Sequence, residues 1–228
     1  MRRTSILWIA LLWIALLALL ATGLPPQKSF AGRPDCVEGS GVVREEARAL
    51  QPFSHLAVSG VYQVRVKVGP AQRVRLRGDD NILPHIRTEV HDGKLTVDSD
   101  RSLCLKTDLR LEIDVPRLTG LESGGTVDVE ADGIHGDRFA LKLDGTGNAR
   151  LSGQCERFEA ALMGASELRA EQLRAQTVVV ALEGAGSAAV HADQRLDAVI
   201  SGLGTVTYSG DPEQINPRIT GLGELIAR

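Results

Sequence analysis

A short glycine-centred motif that recurs about every twenty residues is the strongest constraint on how this chain can fold. A representative copy reads Leu182-Glu183-Gly184-Ala185-Gly186, and the first glycine of each copy is called its pivot. The six pivots are Gly125, Gly145, Gly164, Gly184, Gly202 and Gly221. Steps of 18 to 20 residues between pivots are typical of solenoids, in which each repeat is one coil stacked on its neighbours.

The apolar pattern inside each copy indicates strands rather than helices. Apolar residues occupy every second position around the pivot, whereas a helical repeat would space them by three and four. The residues two before the pivot are Leu143, Leu162, Leu182, Ile200 and Ile219, and those four after it are Val129, Ala149, Leu168, Ala188, Val206 and Leu225. The sequence therefore predicts an all-β protein, a parallel β-helix with about 19–20 residues per coil.

The paired glycines of the motif allow two interpretations. Gly-x-Gly permits positive φ and a sharp bend, so the copies fit corners where backbones of neighbouring coils pack closely. A phosphate-binding loop would need a following helix and an acidic residue about 20 residues further on. No helical pattern follows any copy, which favours the corner.

The first 50 residues differ from the rest of the chain. Arg2 and Arg3 precede an apolar run over residues 6–21, a pattern typical of a secretory signal, with an uncleaved N-terminal anchor as the alternative. Residues 1–24 are assigned to this segment, and residues 25–50, rich in proline and glycine, are predicted to be a linker. Either alternative places the remainder outside the cytoplasm, in the periplasm or at the cell surface. Without Arg2 and Arg3 the chain has 24 basic and 29 acidic residues, which argues against a nucleic-acid partner.

Residues 51–228 are predicted to form one β domain with two unlike parts. Residues 119–228 hold the regular coils, and residues 51–118 read as an irregular, strand-rich half. Within this half, His91-Asp92-Gly93 separates two alternating runs and predicts a β-hairpin.

Three cysteines, Cys36, Cys104 and Cys155, leave one thiol unpaired or paired between chains. Cys36 with Cys104 is the pairing expected if a disulfide forms, and absence of any disulfide is the alternative. The spacings match no zinc pattern, and none of the five histidines stands at ligand spacing from another. The sequence predicts no catalytic, cofactor-binding or metal site, and no cofactor.

Three outward-facing sets of residues are candidates for function. Asp144 and Glu183 would lie two coils apart, roughly 9–10 Å from the strand spacing, near the separation of inverting glycosidase carboxylates, about 6.5–9.5 Å. Arg150 above Arg169, with Glu130 alongside, forms a basic spot that could bind an acidic sugar, and a solvated surface is the alternative interpretation.

The third set is a row of small apolar residues, Ala161, Ala181 and Val199. They occupy the alternate strand positions that are predicted to face solvent. Either a loop covers this row, or it contacts a partner or a second copy of the chain.

Several stretches taken in order resemble the bacterial family called putative auto-transporter adhesin head, GIN domain. They are residues 53–64, then Asp79-Asp80-Asn81-Ile82-Leu83, Gly93-Lys94-Leu95-Thr96-Val97, Val115-Pro116-Arg117-Leu118, the serial Gly-x-Gly copies and Tyr208-Ser209-Gly210-Asp211-Pro212. The resemblance covers about residues 51–228. It implies an exported, right-handed β-helix with no established enzymatic activity.

The first functional hypothesis is a non-enzymatic module of the cell envelope that binds a glycan or an envelope protein through its stacked surfaces. A glycan-acting lyase or hydrolase using Asp144 and Glu183 is the second hypothesis. The third is a structural protein that forms homo-oligomers through Ala161, Ala181 and Val199.

Overall fold

The computed structural model describes residues 35–228, so the predicted signal or anchor segment, residues 1–24, lies outside the described residues. The all-β prediction is confirmed. The described residues form eleven strands and one short 3₁₀ turn, Leu83–His85. The strands are β1 (Val37–Glu38), β2 (Val43–Ala47), β3 (His55–Val68), β4 (Arg73–Asp79), β5 (Ile86–His91), β6 (Lys94–Ser99), β7 (Leu103–Cys104), β8 (Arg110–Val115), β9 (Gly120–Ser209), β10 (Gln214–Gly221) and β11 (Glu224–Ala227).

The 90-residue element β9 folds back on itself repeatedly. Fully extended, it would be roughly 300 Å long at the rise of a β-strand, yet the backbone of Gly145 lies against that of Gly125. Gly184 and Gly202 show the same contact. The chain thus returns over itself every 18 to 20 residues, and each return is called a pass.

The strands that flank β9 pair with it in parallel. β10 and β11 pair with β9 at an offset of 19 residues, so Ile219 lies beside Ile200 and Leu225 beside Val206. On the other side, β3 pairs with the first pass of β9 from His55 through Lys67. The strand order β10-β9-β3-β8-β4-β2 follows.

The core is formed by the alternate strand positions that the sequence predicts to face inward. Leu143, Leu162, Leu182 and Ile200 are at most 2 % exposed, and Phe139 stacks on Phe158 with ring centroids 6.0 Å apart. The final pass differs from the prediction, because Ile215 and Ile219 are 39 % and 45 % exposed. No strand of the described part of the chain packs beyond this pass, so its inward side chains stay open to water.

The pivot glycines adopt positive φ and pack backbone against backbone on the neighbouring copy, the two properties for which the sequence predicts glycine there. Gly184 has φ +117°, and a Cβ placed on it would lie 2.5 Å from the carbonyl oxygen of Gly164. Only glycine allows both this backbone angle and this close approach.

The half that precedes β9 contains the antiparallel pairs. β2 pairs with β4, β4 with β8, and β5 with β6. The predicted β5–β6 hairpin is confirmed, and Asp92 and Gly93 have φ values of 49° and 74°, as a two-residue type I′ turn requires.

Two linkages tie residues 36–47 to this half, within the stretch where the sequence predicts a linker. Cys36 and Cys104 form a disulfide, with Cα atoms 5.6 Å apart, which confirms the expected pairing. The fully buried Asp79 accepts hydrogen bonds from the backbone N–H groups of Gly41 (2.8 Å), Lys106 and Thr107 (3.1 Å each). The segment predicted to be a linker therefore contains two ordered strands, β1 and β2, before Leu50.

Burial of Asp79 by itself would raise its pKa. The N–H donors of Lys106, Thr107 and Gly41 outweigh burial, so the pKa lies below its ordinary value. Cys155, the remaining cysteine, is a buried free thiol, and burial raises its pKa to about 11.

Candidate functional site

A groove of about 380 Å³ crosses five neighbouring stretches of chain on the outer face. It begins on β8, passes over β3 and continues across three successive passes of β9. The charged residues that line it are Arg65, Arg110, Glu112, Asp128, Glu130, Arg150, Glu167 and Arg169.

The sheet register places these side chains in two parallel rows. Arg65 lies beside both Glu112 and Glu130, and Gln63 lies beside both Arg110 and Asp128. Buried Leu111, Val64, Val129 and Ala149 alternate with the outward residues and form the floor. Each row repeats at the strand spacing of about 4.8 Å.

Ion pairs hold most charges of the groove in place. Arg65 donates two hydrogen bonds to Glu130 Oε2, at 3.0 and 2.9 Å. Arg169 Nε donates to Glu167 Oε1 at 2.6 Å, and this hydrogen bond raises the pKa of Arg169 above its ordinary value. Asp128 accepts from the backbone N–H and side-chain amide of Asn148.

Arg150 differs from the other arginines of the groove. Arg65, Arg110 and Arg169 each pair with a carboxylate at 3.3 Å or less, whereas Arg150 pairs with none within residues 35–228. Four arginines and four acids give the lining a formal charge of zero. Arg150 and Asp128 are the two charged residues of the lining that form no ion pair within residues 35–228. The structure thus brings Glu130, Arg150 and Arg169 together, as the repeat predicts.

The acids of the enzymatic hypothesis lie elsewhere. Asp144 and Glu183 are exposed, and neither lines the groove. Asp144 borders a shallow depression at the glycine corner that has no room for even one water molecule. Neither the groove nor this depression has both carboxylates in its lining.

A hydrogen-bonded serine, histidine and aspartate lie together where the sequence predicts no cluster. His191 Nδ1 lies 2.9 Å from Ser209 Oγ, and His191 Nε2 lies 3.1 Å from Asp193 Oδ1. Arg174 also donates to Asp193. His191 and Ser209 each stand seven residues after a pivot, which is the signal that could have predicted their contact.

These residue types form catalytic triads in hydrolases, but Ser209 Oγ also lies 3.4 Å from the carbonyl oxygen of Val190 on the preceding pass. Its proton has an acceptor there, and none of the three residues lines the groove. The cluster is best explained as a surface ladder that joins two passes.

Neither a metal cluster nor a membrane-spanning helix occurs among the described residues. Residues 35–228 contain no group of three or more histidine, cysteine or acidic side chains arranged to hold a metal ion. Within the same range, no helix has the length and apolar character needed to cross a membrane.

The fold defines an all-β protein whose longest strand element returns over itself and pairs in parallel with the strands that flank it. A charged groove crosses its outer face. Residues 52–212 match the sequence profile described as "Putative auto-transporter adhesin, head GIN domain". The chain belongs to this family.

Solved structures share the fold at low sequence identity. A putative adhesin from Bacteroides fragilis is 21 % identical with a TM-score of 0.71, covering 84 % of this chain and 100 % of its own. A putative adhesin from Parabacteroides merdae is 18 % identical with a TM-score of 0.56, covering 85 % and 99 %. A putative lipid binding protein from Parabacteroides distasonis is 18 % identical with a TM-score of 0.54, covering 84 % and 99 %. No curated protein matches the chain.

Proposed function

We propose that this protein is a non-enzymatic, adhesion-type binding module of the cell envelope, and that the groove holding Arg150 is its ligand site. Membership of the adhesin-head family and likeness to adhesins support the binding role. The proposal includes export to the periplasm or the cell surface, with or without an N-terminal tether. The Cys36–Cys104 disulfide supports export, because such bonds persist in oxidising compartments.

We infer further that the stacked passes form a right-handed parallel β-helix. Parallel pairing at an offset of 19 residues and the glycine-on-glycine corners support the stacking. The right hand follows from the general rule for crossover connections between parallel strands.

The chemistry of the groove fits an acidic glycan. Hydroxyl groups of sugars both donate and accept hydrogen bonds, so a lining of arginines, carboxylates and amides of Gln63 and Asn148 offers partners of both kinds. Arg150 has its guanidinium available, and a guanidinium binds a carboxylate with two parallel hydrogen bonds. The observation that carries the proposal is Arg150, the one arginine of the groove that has no carboxylate partner within residues 35–228.

A glycan array that contains neutral and uronic-acid oligosaccharides tests the proposal. We expect the protein to retain acidic glycans, and Arg150→Glu to abolish that binding because it reverses the charge facing the ligand carboxylate. Arg44→Glu makes the same change in charge on exposed β2, outside the groove, and should leave binding intact. If Arg150→Glu and Arg44→Glu retain acidic glycans equally, the groove is not the ligand site.

A contact between two copies of the chain is a second candidate function, and one observation favours it. Four exposed apolar residues at outward-facing positions lie on the last passes of the stack, Val199, Leu203, Leu222 and Ile226. Val199 belongs to the predicted row with Ala161 and Ala181, which are half-buried. We propose that a second copy covers this row.

Light scattering of Ala181→Glu beside the unaltered protein tests that contact. A charge in the row should lower the measured mass of an oligomer, whereas an unchanged mass would count against the contact.

A further inference from the structure

The charged groove holds one acid as well as one arginine that its ion pairs do not use. Among the charged residues of its lining, Asp128 and Arg150 alone form no ion pair within residues 35–228. These two residues have opposite signs, so the groove offers one anion and one cation to a ligand. A ligand whose charges are all of one sign can match only one of them.

Asp128 and Arg150 stand on the same outer face at a fixed spacing. Asn148 donates from its backbone N–H to Asp128, so these two residues lie side by side on adjacent passes. Arg150 follows Asn148 by two positions, and Ala149 between them is buried. A strand spacing of about 4.8 Å and a two-residue rise of about 6.6 Å place the Cα atoms of Asp128 and Arg150 roughly 8 Å apart.

The carboxylate of Asp128 is held in place through only one of its oxygens. The backbone N–H of Asn148 donates to Oδ1 at 3.1 Å, and the side-chain amide donates to the same oxygen at 3.0 Å. Oδ2 accepts no hydrogen bond within the described residues, and Asp128 is exposed to solvent. A carboxylate that is already oriented can accept a hydrogen bond from a ligand with little further loss of conformational entropy.

A second space of about 260 Å³ adjoins the groove at Asp128. Gln63 and Asp128 line both spaces, and the second extends toward Thr126, on the side of Asp128 away from Arg150. A ligand group that reaches Asp128 therefore has room beside it. The other charged residues of the second space are already paired, Lys106 with Glu38 and Asp108 with Arg110.

We propose that the groove selects a zwitterionic glycan, which carries free amino groups as well as carboxylates. A carboxylate of the ligand would lie at Arg150, and an ammonium group on a nearby sugar would donate to Oδ2 of Asp128. This inference rests on the proposed function, because it names the class of glycan that the same groove takes. A chain that alternates uronic acid with unacetylated hexosamine has the required chemistry.

Glycans of uniform charge fit the same pair of residues less well. A purely anionic chain that fills the groove brings a carboxylate close to Asp128, and a purely cationic chain brings an ammonium group close to Arg150. Like charges at close range disfavour binding. The pair therefore discriminates against both uniform classes while it attracts the mixed one.

Isothermal titration with two forms of one oligosaccharide tests the inference. The first form alternates glucuronic acid with N-acetylglucosamine, and the second is the same chain without its acetyl groups, at mildly acidic pH, where its amines carry protons. We expect the deacetylated form to bind the unaltered protein roughly fivefold more tightly, because it adds an ion pair at Asp128. This preference should vanish in Asp128→Asn, which removes the charge and keeps the size of the side chain.

Asp132→Asn is the matched control. Asp132 is an exposed acid of the same pass that accepts a hydrogen bond of 2.6 Å from Ser152 Oγ, and it lines neither space. Both variants remove one negative charge from a chain of formal net charge −3, so they change the general attraction of amines to the protein equally. Asp132→Asn should therefore keep the preference. Both variants should unfold at the temperature of the parent, because an asparagine oxygen still accepts the same hydrogen bond.

Two results would overturn the inference while the proposed function stands. These are equal binding of the two forms by the parent, and a preference that Asp128→Asn retains, each together with binding of the acetylated form that Arg150→Glu abolishes. Binding of the deacetylated form that Arg150→Glu does not weaken would overturn both, because the ligand carboxylate would then lie elsewhere. Absence of binding by either form would likewise overturn both.

Discussion

Replacement of Gly184 by alanine should destabilise the protein for two separable reasons. The residue has φ +117°, a region that costs a side chain of order 1–3 kcal/mol. Its new Cβ would also lie 2.5 Å from the carbonyl oxygen of Gly164, closer than carbon and oxygen can approach. Displacing the packed backbone adds about 1–3 kcal/mol, so we expect a total loss of roughly 2–6 kcal/mol.

Two other glycines separate these contributions. Gly93 has φ +74° in the hairpin turn, but a methyl group added there would have no atom within 4 Å, so Gly93→Ala should cost only about 1–2 kcal/mol of backbone strain. Gly69 has neither a positive φ nor a close neighbour. Gly69→Ala should therefore be neutral or stabilising by about 0.4–1 kcal/mol, because alanine restricts the unfolded chain.

Urea denaturation followed by circular dichroism measures all three variants against the parent. The order of stability should be Gly69→Ala, then Gly93→Ala, then Gly184→Ala. A cost for Gly184→Ala no greater than that for Gly93→Ala would refute close stacking of the corners.

Three further changes test the core and the two linkages. Leu182→Ala should lower the free energy of unfolding in urea by about 2–5 kcal/mol, whereas exposed Glu183→Ala should change it by no more than about 0.5 kcal/mol. Similar losses for both variants would mean that the assignment of inward and outward positions is wrong. Asp79→Asn should lower stability at pH 7 by about 1.5–3 kcal/mol, since hydrogen bonds to a charged acceptor are weakened. The pKa of Asp79 is depressed in the folded protein. Its contribution to the free energy of unfolding is therefore present above the unfolded pKa of about 3.9 and is lost as the pH falls through the folded pKa. A stability difference between the parent and Asp79→Asn that persists at the lowest pH would contradict this. Replacing Cys36 and Cys104 by alanine should cost about 2–4 kcal/mol, because the bridge closes a long loop with a sequence separation of 68, and an unchanged thermal transition would argue against the disulfide.

The repeat predicts much of the fold because its information is local. Alternation within a single copy places Leu182 and Leu162 inside, and the spacing of copies places Gly184 on Gly164. The β5–β6 hairpin also follows from a short signal, Asp92-Gly93, which few other structures accommodate. In each case the residues that interact are close in sequence or related by one repeat.

Most of the groove could not be predicted because it depends on pairings outside the repeat. Arg65 reaches Glu130 across 65 residues, and only the register of β3 against β9 reveals this contact. One edge of β3 has no strand partner between Val58 and Gln63, because β6 ends before β8 begins along that edge, and no alternating pattern records this gap. Exposure of Ile219 likewise depends on what packs beyond the last pass.

The bridge between Cys36 and Cys104 has a consequence for the maturation of the chain. β1 and β7 pair over only two residues each, so the bond between the two sulfurs is the principal restraint on this pair of strands. In a newly made chain under reducing surroundings this edge would be loose, and it would become fixed only once oxidation joins the two sulfurs. Dithiothreitol should therefore speed hydrogen exchange at the amides of β1 and β7 and leave exchange in β9 unchanged.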